Sequence, residues 1–100
     1  AVTPEATAAV KRIRNHTSLA LWCGTHENQW IAAMGAWGGG PRVLGDRFYN
    51  DVLPAIVAEH DPGRDYWPGS PWGTGFPGAD HDGDAHYWNV WHGEGDWVHY

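Results

Sequence analysis

The sequence predicts an α/β fold built around parallel strands, and three observations carry that expectation. Leu19 to Cys23 is a short, nearly continuous apolar run without in-out alternation, the pattern of a parallel strand covered on both faces. Helical signals stand on either side of it. A second short β-type run, Asp65-Tyr66-Trp67, comes after the turn signal Asp61-Pro62-Gly63-Arg64.

The first helix is expected to open at Thr3-Pro4-Glu5, with Thr3 as cap, proline in the first turn and an acid beside it. Ala6, Ala9, Val10 and Ile13 then recur at helical spacing. Ser18 and Gly24 bound the strand. From Arg42 to His60 a second helix is predicted, with Leu44, Phe48, Val52, Ile56 and Val57 on one face and Pro54 kinking or splitting it. If the two strands are parallel, strand, helix and strand close a right-handed βαβ unit. Function gathers at the C-terminal ends of such strands, and Glu27 sits at that end of the first one.

The chain of 100 residues carries 14 Gly and 8 Trp, and few aliphatic residues occur after His60. That leaves little material for a compact core, so the sequence reads as an incomplete domain, residues 1–100 of a larger one. Charges up to His60 balance, and the formal net charge of −6 arises beyond it, which argues against a nucleic-acid partner. No signal-peptide pattern and no bilayer-length apolar run occur, so a soluble chain with no membrane partner is expected, the cytoplasm being favoured. Cys23, the single cysteine, lies inside the apolar run and is expected to be a buried, inert thiol.

From Asp61 to Tyr100 the chain is dense in Gly, Pro, Asp and aromatic residues with no helical period. Aromatic rings beside Asp, Asn and His suit sugars, which offer an apolar C–H face for stacking and a rim of hydroxyls for hydrogen bonding. For any single tryptophan the competing expectation is that it packs a long loop against a scaffold, and the cluster is better evidence for a sugar cleft than any one member. Metal readings fare worse. His26-Glu27 would open an HExxH zinc motif, but Trp30 stands at the second histidine position. Asp80, Asp82 and Asp84 suggest a calcium loop, yet Gly83 comes too early and Trp91 occupies the position of the bidentate glutamate, so a solvated acidic loop is expected. The spacing of His81, His86, His92 and His99 fits no closed zinc site. No cofactor or metal is expected.

The segment Arg12-Ile13-Arg14-Asn15-His16-Thr17-Ser18-Leu19-Ala20-Leu21-Trp22-Cys23-Gly24-Thr25-His26-Glu27-Asn28 resembles the surroundings of the catalytic acid/base in β-mannosidases of glycoside hydrolase family 2. Two further stretches, Leu53 to Pro68 and Gly83 to Gly93, resemble the next helix and strand and a later strand and loop at the mouth of the active site. The resemblance implies a partial (β/α)8 TIM barrel, with strand four at Leu19 to Cys23, strand five beginning at Tyr66 to Pro68 and strand six near His86 to Val90. One helix would intervene between strands four and five, with long aromatic and Gly-rich loops beyond.

By the same resemblance the whole enzyme removes terminal non-reducing β-D-mannose with retention, from an oligosaccharide or glycoside substrate. Glu27 would be the general acid/base. His26, Trp67, Trp72, His86, Trp88 and Trp91 would be cleft residues, and the remaining barrel strands would come from the parent chain. Retention needs a second carboxylate about 5 Å away as nucleophile. The family supplies it in a Ser-Glu-aromatic-Gly segment, which this sequence lacks, and Glu94 in its Gly-rich loop is no substitute. The segment alone is therefore expected to be inactive. His26 also departs from the family, which usually has Asn before the acid/base; Asn28 is expected to support the loop. The competing reading is a non-catalytic carbohydrate-binding or structural module that keeps the barrel pattern.

Overall fold

A computed structural model describes residues 2–35, 43–88, 90–92 and 95–99. Helix α1 (Val2–Ile13) leads to strand β1 (Trp22–Cys23), and helix α2 (Asn28–Ala33) begins directly after Glu27. A π-helical stretch, Phe48–Val52, then runs into helix α3 (Leu53–His60), strand β2 (Tyr66–Trp67) comes next, and a 3-10 turn spans Trp97–His99. The strands pair in parallel, Trp22 with Tyr66 and Cys23 with Trp67. The expected parallel pair is present.

Its extent is smaller than the apolar run suggested. Leu19 to Leu21 lie outside β1, and Cys23 is exposed. The strand is therefore not covered on both faces, and the thiol is only partly buried. Among the described residues β1 has one partner strand, and the ladder ends where β2 ends and resumes as a single bridge between His26 and Ser70. That bridge, with the Glu27 amide donating to the Ser70 carbonyl at 2.6 Å and the Ser70 amide to the Thr25 carbonyl at 3.0 Å, brings the two strand exits together. The expected strand near His86 to Val90 is not formed: residues 86–88 are irregular, residues 90–92 form a turn, and Asn89 lies outside the described residues. The His86 and Trp88 side chains are engaged by the Glu27 carboxylate, and among the described residues no neighbouring strand is there to pair their backbone.

Helices differ from expectation in instructive ways. Helix α1 begins at Val2, so Thr3 lies within it and does not cap it. Among the described residues two helical segments, not one, separate the strands, because α2 forms immediately after Glu27. The predicted start at Arg42 is outside the described residues, and the chain turns helical only after Gly45. Pro54 accounts for the π-helical stretch. It has no N–H to give to the carbonyl four residues back, and its ring crowds that carbonyl, so the preceding turn widens to the π pattern, with the Leu53 amide bonding Phe48. The wider turn breaks the 3.6-residue register. Phe48 at 44% exposure consequently falls off the face that Ile56 and Val57 bury, while Leu44, at 88%, lies in the turn before the helix.

The core is Val10 of α1 against Ile56 and Val57 of α3, ringed by Ala6, Trp22, Val52, Leu53 and Tyr66. It is small for the chain length. Trp91, Trp97 and Val98 are largely exposed, and the radius of gyration is 15.5 Å where a compact chain of this length gives about 13 Å. Among the described residues no helix is long and apolar enough to cross a membrane.

Polar ties make up for part of the thin core. The Arg64 guanidinium donates to the carbonyls of Leu19 (2.8 Å), Arg14 (2.7 Å) and His16 (3.1 Å), and pairs with Asp61 at 2.6 Å. Asp61 also accepts the Trp22 indole N–H at 2.8 Å, so one ion pair fixes both the α1–β1 connection and the β1 aromatic ring. These contacts hold the Asp61 carboxyl below its ordinary range, the Trp22 hydrogen bond first and Arg64 after it. Arg64→Ala strips partners from three carbonyls and one carboxylate. It is expected to cost about 2–4 kcal/mol in denaturant unfolding, and Arg64→Lys is expected to restore only a minor part, since an ammonium cannot span the same fork. Unchanged stability in Arg64→Ala would refute the clamp.

Candidate active site

Glu27 directly follows the His26–Ser70 bridge, between the exit of β1 and the start of α2. It is the only described non-glycine residue with positive φ (59°, with ψ −1°), a left-handed conformation that costs an L-residue roughly 1–2 kcal/mol. Although it stands at the N-cap of α2, its side chain makes no cap hydrogen bond. The strained backbone instead turns the carboxylate toward the loop beyond β2. Strain of this kind concentrates at functional sites.

The carboxylate is 13% exposed and its two oxygens differ sharply. Oε1 accepts from His86 Nδ1 at 2.7 Å and from the Trp88 indole N–H at 2.8 Å. Among the described residues Oε2 makes no hydrogen bond and has the His26 ring nearby, with Nε2 at 3.8 Å and the His26 side chain 73% exposed. Oε1 is therefore occupied by protein donors, and Oε2 is the oxygen that no described residue hydrogen-bonds. The His86 hydrogen bond is the largest influence on the carboxyl; with the Trp88 bond and the nearby imidazoles it outweighs burial and holds Glu27 below the ordinary carboxylate range. The unliganded site thus favours the carboxylate, the form that acts as a base.

Behind His86 the network continues. Its Nε2 lies 2.8 Å from Ser70 Oγ, and Ser70 Oγ makes a short hydrogen bond to Asp84 Oδ2. Asp84 Oδ1 in turn accepts the Trp72 amide at 2.7 Å. Asp82 accepts the Thr74 amide at 2.8 Å and the Thr74 hydroxyl, which hold its carboxyl below the ordinary range, the hydroxyl bond foremost. Asp82 and Asp84 are thus engaged within the loop and not merely solvated.

Of the residues singled out in the sequence, the structure brings Glu27, His26, His86 and Trp88 together. The His26 and His86 rings stand 5.0 Å apart, tilted by 32°. Trp72 joins through its backbone. Trp67 is the β2 partner of Cys23, and Trp91 is 74% exposed in the turn after Trp88, its amide bonded to the Trp88 carbonyl. No described contact joins Trp67 or Trp91 to Glu27. Asn28 donates to the Tyr49 hydroxyl at 3.3 Å, which ties the start of α2 to the π-helical stretch. Glu94 lies outside the described residues, as does the His99 side chain. Ser70 and Asp84 are the partners that pattern reading missed, because a serine in a Pro/Gly turn and an aspartate in an acidic loop carry no local sign of serving a distant histidine.

One atom from each of His26, Glu27 and His86 lies within 4.8 Å of the others, the spacing a divalent ion requires. Glu27 Oε1 is already taken by two N–H donors, and both ring nitrogens of His86 have hydrogen-bond partners, so the arrangement is satisfied as a hydrogen-bonded one. A cavity of about 350 Å³ is lined by Ala79 to Ala85 and does not include Glu27. Hydrogen-bond geometry, not enclosure, marks the Glu27 carboxylate.

No protein-family model matches the chain. Curated relatives do. It is 34% identical over 107 residues to Beta-mannosidase B of Aspergillus fumigatus, covering 92% of this chain and 12% of that protein. It is 39% identical over 101 residues to Beta-mannosidase B of Thermothelomyces thermophilus, covering 89% of this chain and 12% of that one. Among solved structures, the crystal structure of Beta-D-Mannosidase from Dictyoglomus thermophilum matches with a TM-score of 0.84 and 43% identity, over 92% of this chain and 11% of that chain. The relatives are glycosidases, and this small α/β unit is similar to a segment of one. The chain is homologous to β-mannosidases and spans about 12% of the length of the curated relatives it matches.

Proposed function

We propose that these 100 residues are an internal segment of a family 2 β-mannosidase catalytic barrel, carrying its general acid/base, Glu27, and the exits of barrel strands four and five. The observation that supports this reading is the asymmetry of the Glu27 carboxylate beyond the exit of a parallel strand: Oε1 holds two protein donors, and Oε2 holds none among the described residues. A proton carried on Oε2 is the one a leaving glycosidic oxygen can take.

Cleavage then proceeds in two steps. Glu27 gives the Oε2 proton to the departing oxygen while a second carboxylate, contributed by a later part of the barrel and about 5 Å away, attacks the anomeric carbon. Glu27, now ionised, takes a proton from water, which releases mannose with its configuration retained. The negative nucleophile raises the Glu27 carboxyl for the first step and loses that charge on forming the glycosyl-enzyme, which favours the base for the second. His26, exposed beside Oε2, is placed to hydrogen-bond a sugar hydroxyl in the role usually filled by Asn. Trp88 reaches the carboxylate itself, and Trp67, Trp72 and Trp91 supply aromatic surface around the exit. Large exposed rings such as Trp91 and Trp97 are accounted for as contacts with the rest of the barrel or with sugar.

The protein carrying this segment in full is expected to hydrolyse 4-nitrophenyl β-mannoside and to release β-mannose as the first-formed anomer in proton NMR, while residues 1–100 alone give no turnover. First-formed α-mannose, or cleavage of β-glucosides with none of β-mannosides, would overturn the proposal.

A further inference from the structure

The chain Glu27–His86–Ser70–Asp84 allows a count of protons. Ser70 has a single hydroxyl hydrogen and sits between His86 Nε2 and Asp84 Oδ2. An ionised Asp84 has no proton to give, so Ser70 donates to it. Ser70 Oγ must then accept from His86, which requires a proton on Nε2. At the other side of the ring an ionised Glu27 likewise accepts, which requires a proton on Nδ1. With both carboxylates ionised, His86 carries both protons.

We propose that Asp84, acting through Ser70, keeps His86 an imidazolium whose Nδ1–H is permanently committed to Glu27 Oε1, so that the exchangeable proton of Glu27 is confined to Oε2. The inference rests on Glu27 being the acid/base. Ser70 and Asp84 are positioning residues: neither reaches Glu27, and each acts through the imidazole. The fold supports this role, because Ser70 is fixed by its bridge to His26 and Asp84 by the Trp72 amide, so both ends of the relay hang on the backbone that sets Glu27. The other groups facing the pair are the exposed His26 ring, 5.0 Å from His86, and the Cys23 thiol near Asp84. Partial burial holds that thiol above its ordinary value, so it adds no charge near neutral pH.

The consequence has a definite sign. In Asp84→Asn the new amide donates to Ser70 Oγ, Ser70 turns its hydrogen to Nε2, and His86 becomes neutral with Nδ1–H still on Glu27. The positive charge beside Glu27 disappears, its carboxyl holds its proton more tightly, and the basic limb of the kcat/KM profile moves up by on the order of one pH unit. Ser70→Ala removes the link and is expected to move the limb in the same direction, while Ser70→Thr keeps the hydroxyl and leaves the limb in place.

The test uses the full-length protein with 15N-labelled histidine. Ring-nitrogen shifts of His86 at neutral pH are expected to show both nitrogens protonated in the wild type and one in Asp84→Asn and Ser70→Ala. A neutral His86 in the wild type overturns the proposal without requiring any variant to fold. A folded Asp84→Asn protein whose basic limb stays or moves down, with only an overall loss of rate, also overturns it. Failure of the acid/base reading shows separately, as full activity in Glu27→Gln, and the relay is then judged on the His86 ring nitrogens alone.

Discussion

Glu27→Gln in the full-length protein is expected to lower kcat on alkyl β-mannosides by a factor of about 10² to 10⁴, the range supplied by a positioned proton donor. The amide is nearly isosteric and keeps an oxygen for the His86 and Trp88 N–H groups, so the strand exit and its ladder should survive the change. What it removes is the acid on Oε2. A 4-nitrophenolate leaving group needs little protonation, so with that substrate the first step is expected to suffer less, and the missing base limits the second. Accumulation of glycosyl-enzyme should then appear as a burst of nitrophenol and a slow turnover after it. Wild-type rates on both substrate types would remove Glu27 from the mechanism.

The second large effect is expected at Gly83. Its φ of +72° is a left-handed conformation, and a Cβ there would overlap the Trp72 carbonyl oxygen, a backbone atom that cannot rotate aside. That carbonyl accepts the Asp84 amide at 3.0 Å, while the Trp72 amide donates to Asp84 Oδ1 at 2.7 Å. Gly83→Ala therefore combines backbone strain with overlap and is expected to cost about 3 kcal/mol. The damage is not only to stability. Separating residues 72 and 84 moves Asp84 away from Ser70 and loosens the far end of the Glu27 network. The variant should lose thermal stability and activity together, whereas Gly63→Ala, where a Cβ meets nothing within 4 Å, should leave both near wild type. Equal behaviour of the two variants would contradict the reading.

Much of the scaffold is legible in the sequence because its determinants are local. The helical spacing of Ala6, Ala9, Val10 and Ile13 marks α1, the turn chemistry of Asp61-Pro62-Gly63 marks the end of α3, and the apolar run ending at Cys23 marks β1. Pro54 marks a point of change in the second helix. Its effect on register is not legible, since the choice between a kink and a π-helical turn depends on how the preceding turn relaxes, and this is why Phe48 does not join Ile56; Leu44 stays out because the helix starts only after Gly45. The strand expected near His86 fails for a different reason. A strand needs a partner as well as a sequence, and here His86 and Trp88 direct their side chains to Glu27 across about sixty residues of chain.

The site is half legible. The resemblance of the flanking segments names Glu27, His26, His86 and Trp88 together, and the structure brings these four side chains into contact. What gives the carboxylate two unlike oxygens lies in contacts between residues far apart in sequence: 59 residues separate His86 from Glu27, and 16 separate it from Ser70. No periodicity encodes such contacts. They exist because the His26–Ser70 bridge draws the loops after β1 and β2 together, a consequence of the parallel pairing just before it. Asp84, to a reader of the sequence one acid among several in a polar loop, acquires its partners only through that closure.

The most direct test of Glu27 as the proton donor is the dependence of the glycosylation rate on leaving-group acidity, measured as kcat/KM over a series of aryl β-mannosides in the wild type and Glu27→Gln. The wild type is expected to show a shallow dependence, because protonation levels good and poor leaving groups, and the variant a steep one. Parallel slopes in the two proteins would contradict a proton-donating role for Glu27.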